Sequence, residues 1–288
     1  MKYIRRMKFT GFVFVLPALL YFASLYLFPV ISVFFNSFFK YDLFTERIFV
    51  GLANYLWLLS DSKVAISLKA TAIYMAGSCL LLWVVSFSFA LMLHRQFSGN
   101  KFYRFVFFIP LVISLVVISL IWKVMFQPTG LVNLVLGSAN IEWLTSTRLA
   151  IWVVVFISIW KWSGFYTVLF LSGLDGIPQE YIDAANVDGA GAFSVFRFII
   201  LPLLRPTFTF VMIISLISAA KVFDIMYIVT KGGPVGSTNV LAMRIYETAF
   251  RAFRMGRASA MSVILFFILL FLTLLQFRIL DVRDRREN

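Results

Sequence analysis

Groups that transfer protons, attack substrates or ligate metals are scarce in this chain. Its 288 residues include one histidine, one cysteine and thirteen Asp or Glu. The acids are scattered and supply no clustered His/Asp/Glu set for hydrolysis or metal binding. The single thiol, Cys79, lies in an apolar run and can form no intrachain disulfide. No Gly-x-x-x-x-Gly-Lys-Ser/Thr loop occurs, so the chain has no phosphate-cradling ATP site of its own. A non-enzymatic protein without metal or resident cofactor is the expectation. The ionisable residues that call for an explanation are Lys161, Lys221 and Asp224, each inside a long apolar stretch. Such a group costs at least about 2.5–3.5 kcal/mol at the centre of a bilayer, so it faces a cavity, a partner or a ligand. Lys161 with Trp160, and Lys221 with Asp224, are the candidates for lining a polar, aromatic solute path. Two structural alternatives stand beside that reading. Lys161 could snorkel to the outer interface, and Lys221 and Asp224, spaced i and i+3, could form an ion pair along one helix face. Trp160 and Trp162 project about 200° apart on a helix of about 3.6 residues per turn, so at most one shares the path with Lys161.

The elements that must position these residues are membrane helices. Hydrophobic residues make up 61% of the chain and charged residues only 14%, against about 25% charged in soluble domains. The net charge of +13 fits basic residues at anionic headgroups better than nucleic acid, for which no motif is present. A bilayer takes about 20 apolar residues in helical form, and a spanning segment must satisfy its own backbone hydrogen bonds. Six such runs occur, at about 10–36, 70–93, 105–125, 149–172, 206–228 and 258–277. The first follows Arg5, Arg6 and Lys8, but it is too long for a secretory h-region of about 7–15 residues. It is read as an uncleaved helix interrupted by Pro17 and Pro29. The fold class is therefore all-α, one multi-pass membrane domain over 1–288, with both termini on the same side. Thirteen of the 26 Lys and Arg fall on the terminal side and eleven on the other. The basic clusters at 5–8 and 283–286 favour cytoplasmic termini.

The segment at about 173–205 joins spans four and five. Pro178 suits the first turn of a helix, and Glu180 and Asp183 follow near the positive end of its dipole. Ala184 and Ala185 give that helix a smooth face, and Asp188-Gly189 signals a break. A second short helix is expected from about 190 to 200, with Phe193, Phe196 and Ile200 on one side and Pro202 ending it. The result is two short helices at an angle, with small residues at the tip.

This loop resembles the signature of the permease subunits of binding-protein-dependent ABC importers: Glu-Ala-Ala, three residues, Gly, nine residues, Ile-x-Leu-Pro. Here Asp183-Ala184-Ala185 is followed after three residues by Gly189, and after nine more by Ile199-Ile200-Leu201-Pro202. The one departure is Asp183 where Glu is usual. A second resemblance, to carbohydrate-importer permeases and to the upstream maltose/glycerol-phosphate-type subunit among them, rests on three stretches. They are Phe223-Asp224 through Gly232-Gly233-Pro234, Leu16-Pro17, and Gly51-Leu52-x-Asn54-Tyr55. It departs at Gly256-Arg257, where the family tends to place an aromatic residue after the glycine.

The resemblance implies a coupling role for Glu180, Asp183, Ala184, Ala185, Gly189, Ile199, Leu201 and Pro202, docked on a cytoplasmic ATPase. It also implies a heterodimer with a second permease, two ATPase subunits that bind the ATP and Mg, and an extracytoplasmic solute-binding protein. The solute would be a sugar, with Lys161 helping to hold it. Alternatives are an ABC permease for a non-sugar solute, which the coupling motif alone allows, and a secondary transporter, which would leave the motif unexplained. His94, beside Arg95, is expected at the interface, and Arg244, Glu247, Arg251 and Arg254 along a short outer helix.

Overall fold

The computed structural model describes residues 2–94, 99–137 and 141–279. Arg95 and the basic cluster at 283–286, used above to orient the chain, lie outside those residues. Among the described residues the fold is all-α apart from one two-residue antiparallel pairing, Phe39–Lys40 with Ile48–Phe49. Five helices are long and apolar enough to span a membrane: Phe12–Asn36, Ser62–His94, Ala150–Asp175, Arg205–Val229 and Met255–Arg278. A bent pair, Phe102–Val112 and Leu115–Met125, is long and apolar enough to make a sixth span when its two halves are taken together.

Three expectations need correction. The third span is not one helix: it turns by 97° at Ile113 and Ser114, both extended. Pro110, in the last turn of the Asn100–Val112 helix, donates no backbone N–H and weakens the helix end. The fifth span is interrupted as well. Its first helix, Arg205–Ala220, stops, Lys221–Phe223 form an irregular link, and Asp224–Val229 resumes. Lys221 and Asp224 therefore do not share a helix face. Conversely, the first span is not interrupted at its prolines. Pro17 lies inside the Lys2–Phe22 helix. Ahead of Pro29, a π turn at Ala23–Leu27 shifts the ladder, so that the Phe28 N–H donates to the Ala23 carbonyl.

The chain forms two compact units. One comprises Met1–Asp61 and Ile245–Phe266. In it the buried Asn54 amide donates to the carbonyls of Ser37 (2.8 Å) and Phe39 (2.9 Å), fixing the end of the first span. Gly256 packs there directly: a Cβ at that position would collide with the Phe39 carbonyl oxygen. Arg257 lays its guanidinium 4.3 Å from the ring centroid of Trp57. At that distance the guanidinium makes a cation–π contact with the indole.

The other unit comprises Ser62–Arg244 and Phe267–Asn288. Helices in lipid associate through close packing rather than hydrophobic burial, so small residues mark the contacts. Gly164 on the fourth span is one: a Cβ there would lie 2.5 Å from the Phe107 carbonyl oxygen. Ser86 and Thr167 tie the second span to the fourth, through Ser86 Oγ to the Ser163 carbonyl (3.2 Å) and Thr167 Oγ1 to the Ser86 carbonyl (3.3 Å). Below them Phe87, Phe170 and Phe208 meet edge to face or tilted at 4.8–5.3 Å between centroids.

Candidate coupling loop and substrate cavity

The loop after the fourth span folds into the expected helix pair. Pro178, with φ −60° and ψ 129°, precedes the first helix, Gln179–Val187. Glu180 sits in its first turn, where the dipole favours an acid. Asp183 accepts a hydrogen bond from Gln179 Nε2 at 3.0 Å. The helix closes with a left-handed glycine. Gly189 has φ +78°, its N–H donates to the Asn186 carbonyl (3.1 Å), and the Ala190 N–H reaches back to the Ala185 carbonyl (2.9 Å). That double closure satisfies carbonyls a helix end would otherwise leave free. It also explains the motif: three residues must separate Ala185 from a glycine able to take positive φ. No atom lies within 4 Å of a Cβ built on Gly189, so the constraint is conformational and not spatial.

The second helix begins at Ala192 and does not end at Pro202. A π turn over Phe196–Ile200 lets the Leu201 N–H donate to the Phe196 carbonyl, so Pro202 enters without breaking the chain, and the last turn runs to Leu203. Ile199, Leu201 and Pro202 are half-buried on this stem. Ala184 is exposed and Ala185 half-buried. At the tip Tyr181, Val187 and Phe193 project outward, 56%, 88% and 77% exposed. Phe193 thus leaves the side it was expected to share with Phe196, whose ring packs against Phe87 at 6.2 Å. At the root of the loop His94 Nδ1 lies 3.1 Å from Asp175 Oδ1, linking the ends of the second and fourth spans.

A cavity of about 400 Å³ opens between the second, third, fourth and fifth spans. Such a volume is within the ~300–1,000 Å³ of small-molecule sites. Its charged lining residues are Lys221 and Asp224, brought there by the break in the fifth span. Hydroxyls and rings surround them: Ser78, Ser158, Ser215 and Ser218, Tyr74 and Tyr166, with Trp162, Phe165 and Phe223. Tyr74 Oη and Ser158 Oγ are 2.8 Å apart, and Trp83 Nε1 donates to Ser215 Oγ at 2.7 Å. Cys79 also lines the cavity and is buried. Among the described residues no group of three or more His, Cys, Asp or Glu is arranged to hold a metal ion.

Lys161 and Trp160, assigned to the path above, are not part of this lining. Lys161 is 5% exposed, and its ammonium donates to the carbonyls of Pro110 (2.8 Å), Leu111 (2.9 Å) and Ile113 (2.6 Å). These three acceptors sit at the end of the helix that breaks in the third span. A helix leaves its last four carbonyls without intrahelical donors, and lipid offers none. Lys161 therefore caps the bend, using all three of its N–H donors. Trp160 packs on Trp122 at 5.5 Å, edge to face, while Trp162 faces the cavity. The missed cavity residues, above all the serines, left one faint sequence sign: isolated small polar residues recurring in otherwise apolar spans.

The geometry defines a multi-pass membrane protein with a rigid helix pair at one end and a polar cavity among its helices. Residues 83–287 match the family of binding-protein-dependent transport system inner membrane components, and the chain belongs to that family. Two relatives are 32% identical to it. One is the probable ABC transporter permease protein YesP of Bacillus subtilis, covering 96% of this chain and 91% of the relative. The other is the trehalose/maltose transport system permease protein MalF of Thermococcus litoralis, covering 93% and 92%. The sn-glycerol-3-phosphate permease protein UgpA of Agrobacterium fabrum is 31% identical over 96% of both chains. The fold matches a chain in a crystal structure of a bacterial transporter that imports alginate, with TM-score 0.86, 21% identity and 99% of each chain covered.

Proposed function

We propose that this chain is one of two non-identical membrane subunits of an ABC importer for a sugar or oligosaccharide. Two separate ATPase subunits bind ATP and Mg and hydrolyse the nucleotide, and an extracytoplasmic solute-binding protein delivers the solute. Both termini and the 173–205 loop face the cytoplasm. The observation that carries this reading is the loop. Its signature positions build a doubly closed helix turn, with apolar side chains standing free at the tip and the stem continuing into the fifth span. A short, stiff lever of that kind can pass motion from a docked ATPase to the broken helix that lines the cavity. The sugar assignment is supported by relatives named for trehalose, maltose and starch-product transport. Solute enters the cavity beside Lys221, Asp224 and Trp162, with Lys161 holding the wall in place.

Saccharide uptake by the complete importer in sealed vesicles tests the proposal. Gly189→Pro removes a backbone N–H that donates to Asn186 and demands negative φ where φ is +78°. Ala185→Asp puts a charge on the docking helix. Both variants are expected to insert normally and to lose ATP-driven uptake of maltose and trehalose. Unchanged uptake and unchanged ATPase stimulation in both would refute the coupling role.

A further inference from the structure

The relatives do not agree on solute charge: trehalose and maltose are neutral, and glycerol phosphate is an anion. The cavity of this chain carries its own statement on the matter. Lys221 and Asp224 are its two charged lining residues. They are exposed to it, and among the described residues no hydrogen bond or ion pair engages either side chain. Lys221 is the residue that ends the Arg205–Ala220 helix, and Asp224 is the first residue of Asp224–Val229. The break thus presents one free ammonium and one free carboxylate to the same space. The remaining lining is uncharged: hydroxyls able to donate and accept, and the faces of Trp162, Phe165 and Phe223.

We infer that this cavity selects a small neutral saccharide and discriminates against uronates and phosphate esters, a conclusion that rests on the sugar-importer reading above. Sugar hydroxyls are both donors and acceptors, so a neutral sugar satisfies Lys221 and Asp224 at once. An anionic ring satisfies Lys221 but brings its own charge against Asp224, and like-charge juxtaposition is costly. Shape alone would not make this distinction, because a glucuronate and a glucose differ by one group at the ring edge.

The test has two arms. In a Cys79→Ser background, Ser218→Cys places a thiol on the exposed cavity wall, and anionic and cationic methanethiosulfonates of similar size report the local potential. Their rates are expected to be similar in this background. Lys221→Met should shift the ratio toward the cationic reagent, and Asp224→Asn toward the anionic one, each on the order of tenfold for a single charge at close range. In the second arm, the complete importer is offered maltose, trehalose, a diuronate and glycerol 3-phosphate. Uptake of the neutral sugars alone is expected, with Asp224→Asn relaxing the exclusion of the acids. A thiol that no reagent reaches, or a ratio that ignores both substitutions, overturns the charge assignment. Equal uptake of diuronate and maltose overturns the selectivity while leaving the sugar reading intact. Uptake of none of the saccharides refutes the sugar reading itself, and the labelling ratio still reports the charge of the cavity.

Discussion

Replacing Lys161 with Met separates a cap from a ligand. Met keeps most of the length of Lys but cannot donate a hydrogen bond. The substitution strips donors from the carbonyls of Pro110, Leu111 and Ile113 at the 97° bend. A hydrogen bond from a charged donor contributes roughly 1.5–3 kcal/mol net, so three contribute roughly 4–9 kcal/mol. Met also relieves the insertion cost of the ammonium, about 2.5–3.5 kcal/mol. The balance is a loss centred on about 3.5 kcal/mol, a few hundredfold in the population of the bent form.

Two measurements read that loss. Val106 and Val117 lie on opposite sides of the bend and are 43% and 47% exposed, so spin labels at both, in a Cys79→Ser background, report its angle through their separation. Lys161→Met is expected to broaden the distance distribution and to lower the melting temperature of the purified complex by several degrees. Lys161→Arg, which keeps the charge and five donors, should retain most of the order. Uptake should fall through kcat. An unchanged distance distribution and melting temperature, together with a raised KM for sugar, would refute the capping role and return Lys161 to the solute path.

Two further outcomes follow from contacts described above. Gly164→Leu should overpack the contact with the Phe107 backbone and cost about 1–3 kcal/mol or more, seen as a lower melting temperature or failed assembly with the partner permease. For the orientation, a cysteine at Gln179 in a Cys79→Ser background should resist impermeant maleimide in sealed right-side-out vesicles while one at Ser237 labels; the reverse pattern inverts the topology.

The helix pair of the loop was legible in the sequence because its main determinants are local. Gly189, Ala185 and Pro178 act within a few positions of themselves, so spacing alone specifies the helix pair. Pro202 does not end the helix because a π turn six to two residues earlier absorbs the missing N–H, and nothing in Phe196–Ile200 announces it. The spans were legible from apolar length, since lipid enforces helices whatever the sequence detail. Their breaks were not. The fifth span stops at Ala219-Ala220-Lys221 with no glycine or proline, and the i, i+3 spacing of Lys221 and Asp224 reads as a helical pair in any periodicity argument. The partners of Lys161 lie about 50 residues away in sequence, beyond the reach of any local rule. Trp160 and Trp162 were correctly opposed in direction, but which one faces the cavity depends on the second, third and fifth spans together.

Three of the lysines within or beside the spans obey one physical rule. Lys161 caps the Asn100–Val112 helix where it breaks. Lys123 Nζ donates to the Ile228 carbonyl (3.1 Å), in the last turn of the short helix that follows the second break. Lys221 ends the Arg205–Ala220 helix. Each stands at a helix C-terminus, where the partial negative charge and free carbonyls suit an ammonium. A lysine on a membrane span is usually read as a sign of solute or ion. Here the sign points first to a helix that stops inside the membrane and needs donors at its end. Two of the three are consumed in that task, and only Lys221 keeps its ammonium free for the cavity. Because a broken helix is also what opens a cavity, the capping lysines and the cavity-facing one belong to a single arrangement: Lys161 holds the bend of the third span, Lys123 holds the end of the fifth, and the break within the fifth exposes Lys221 and Asp224.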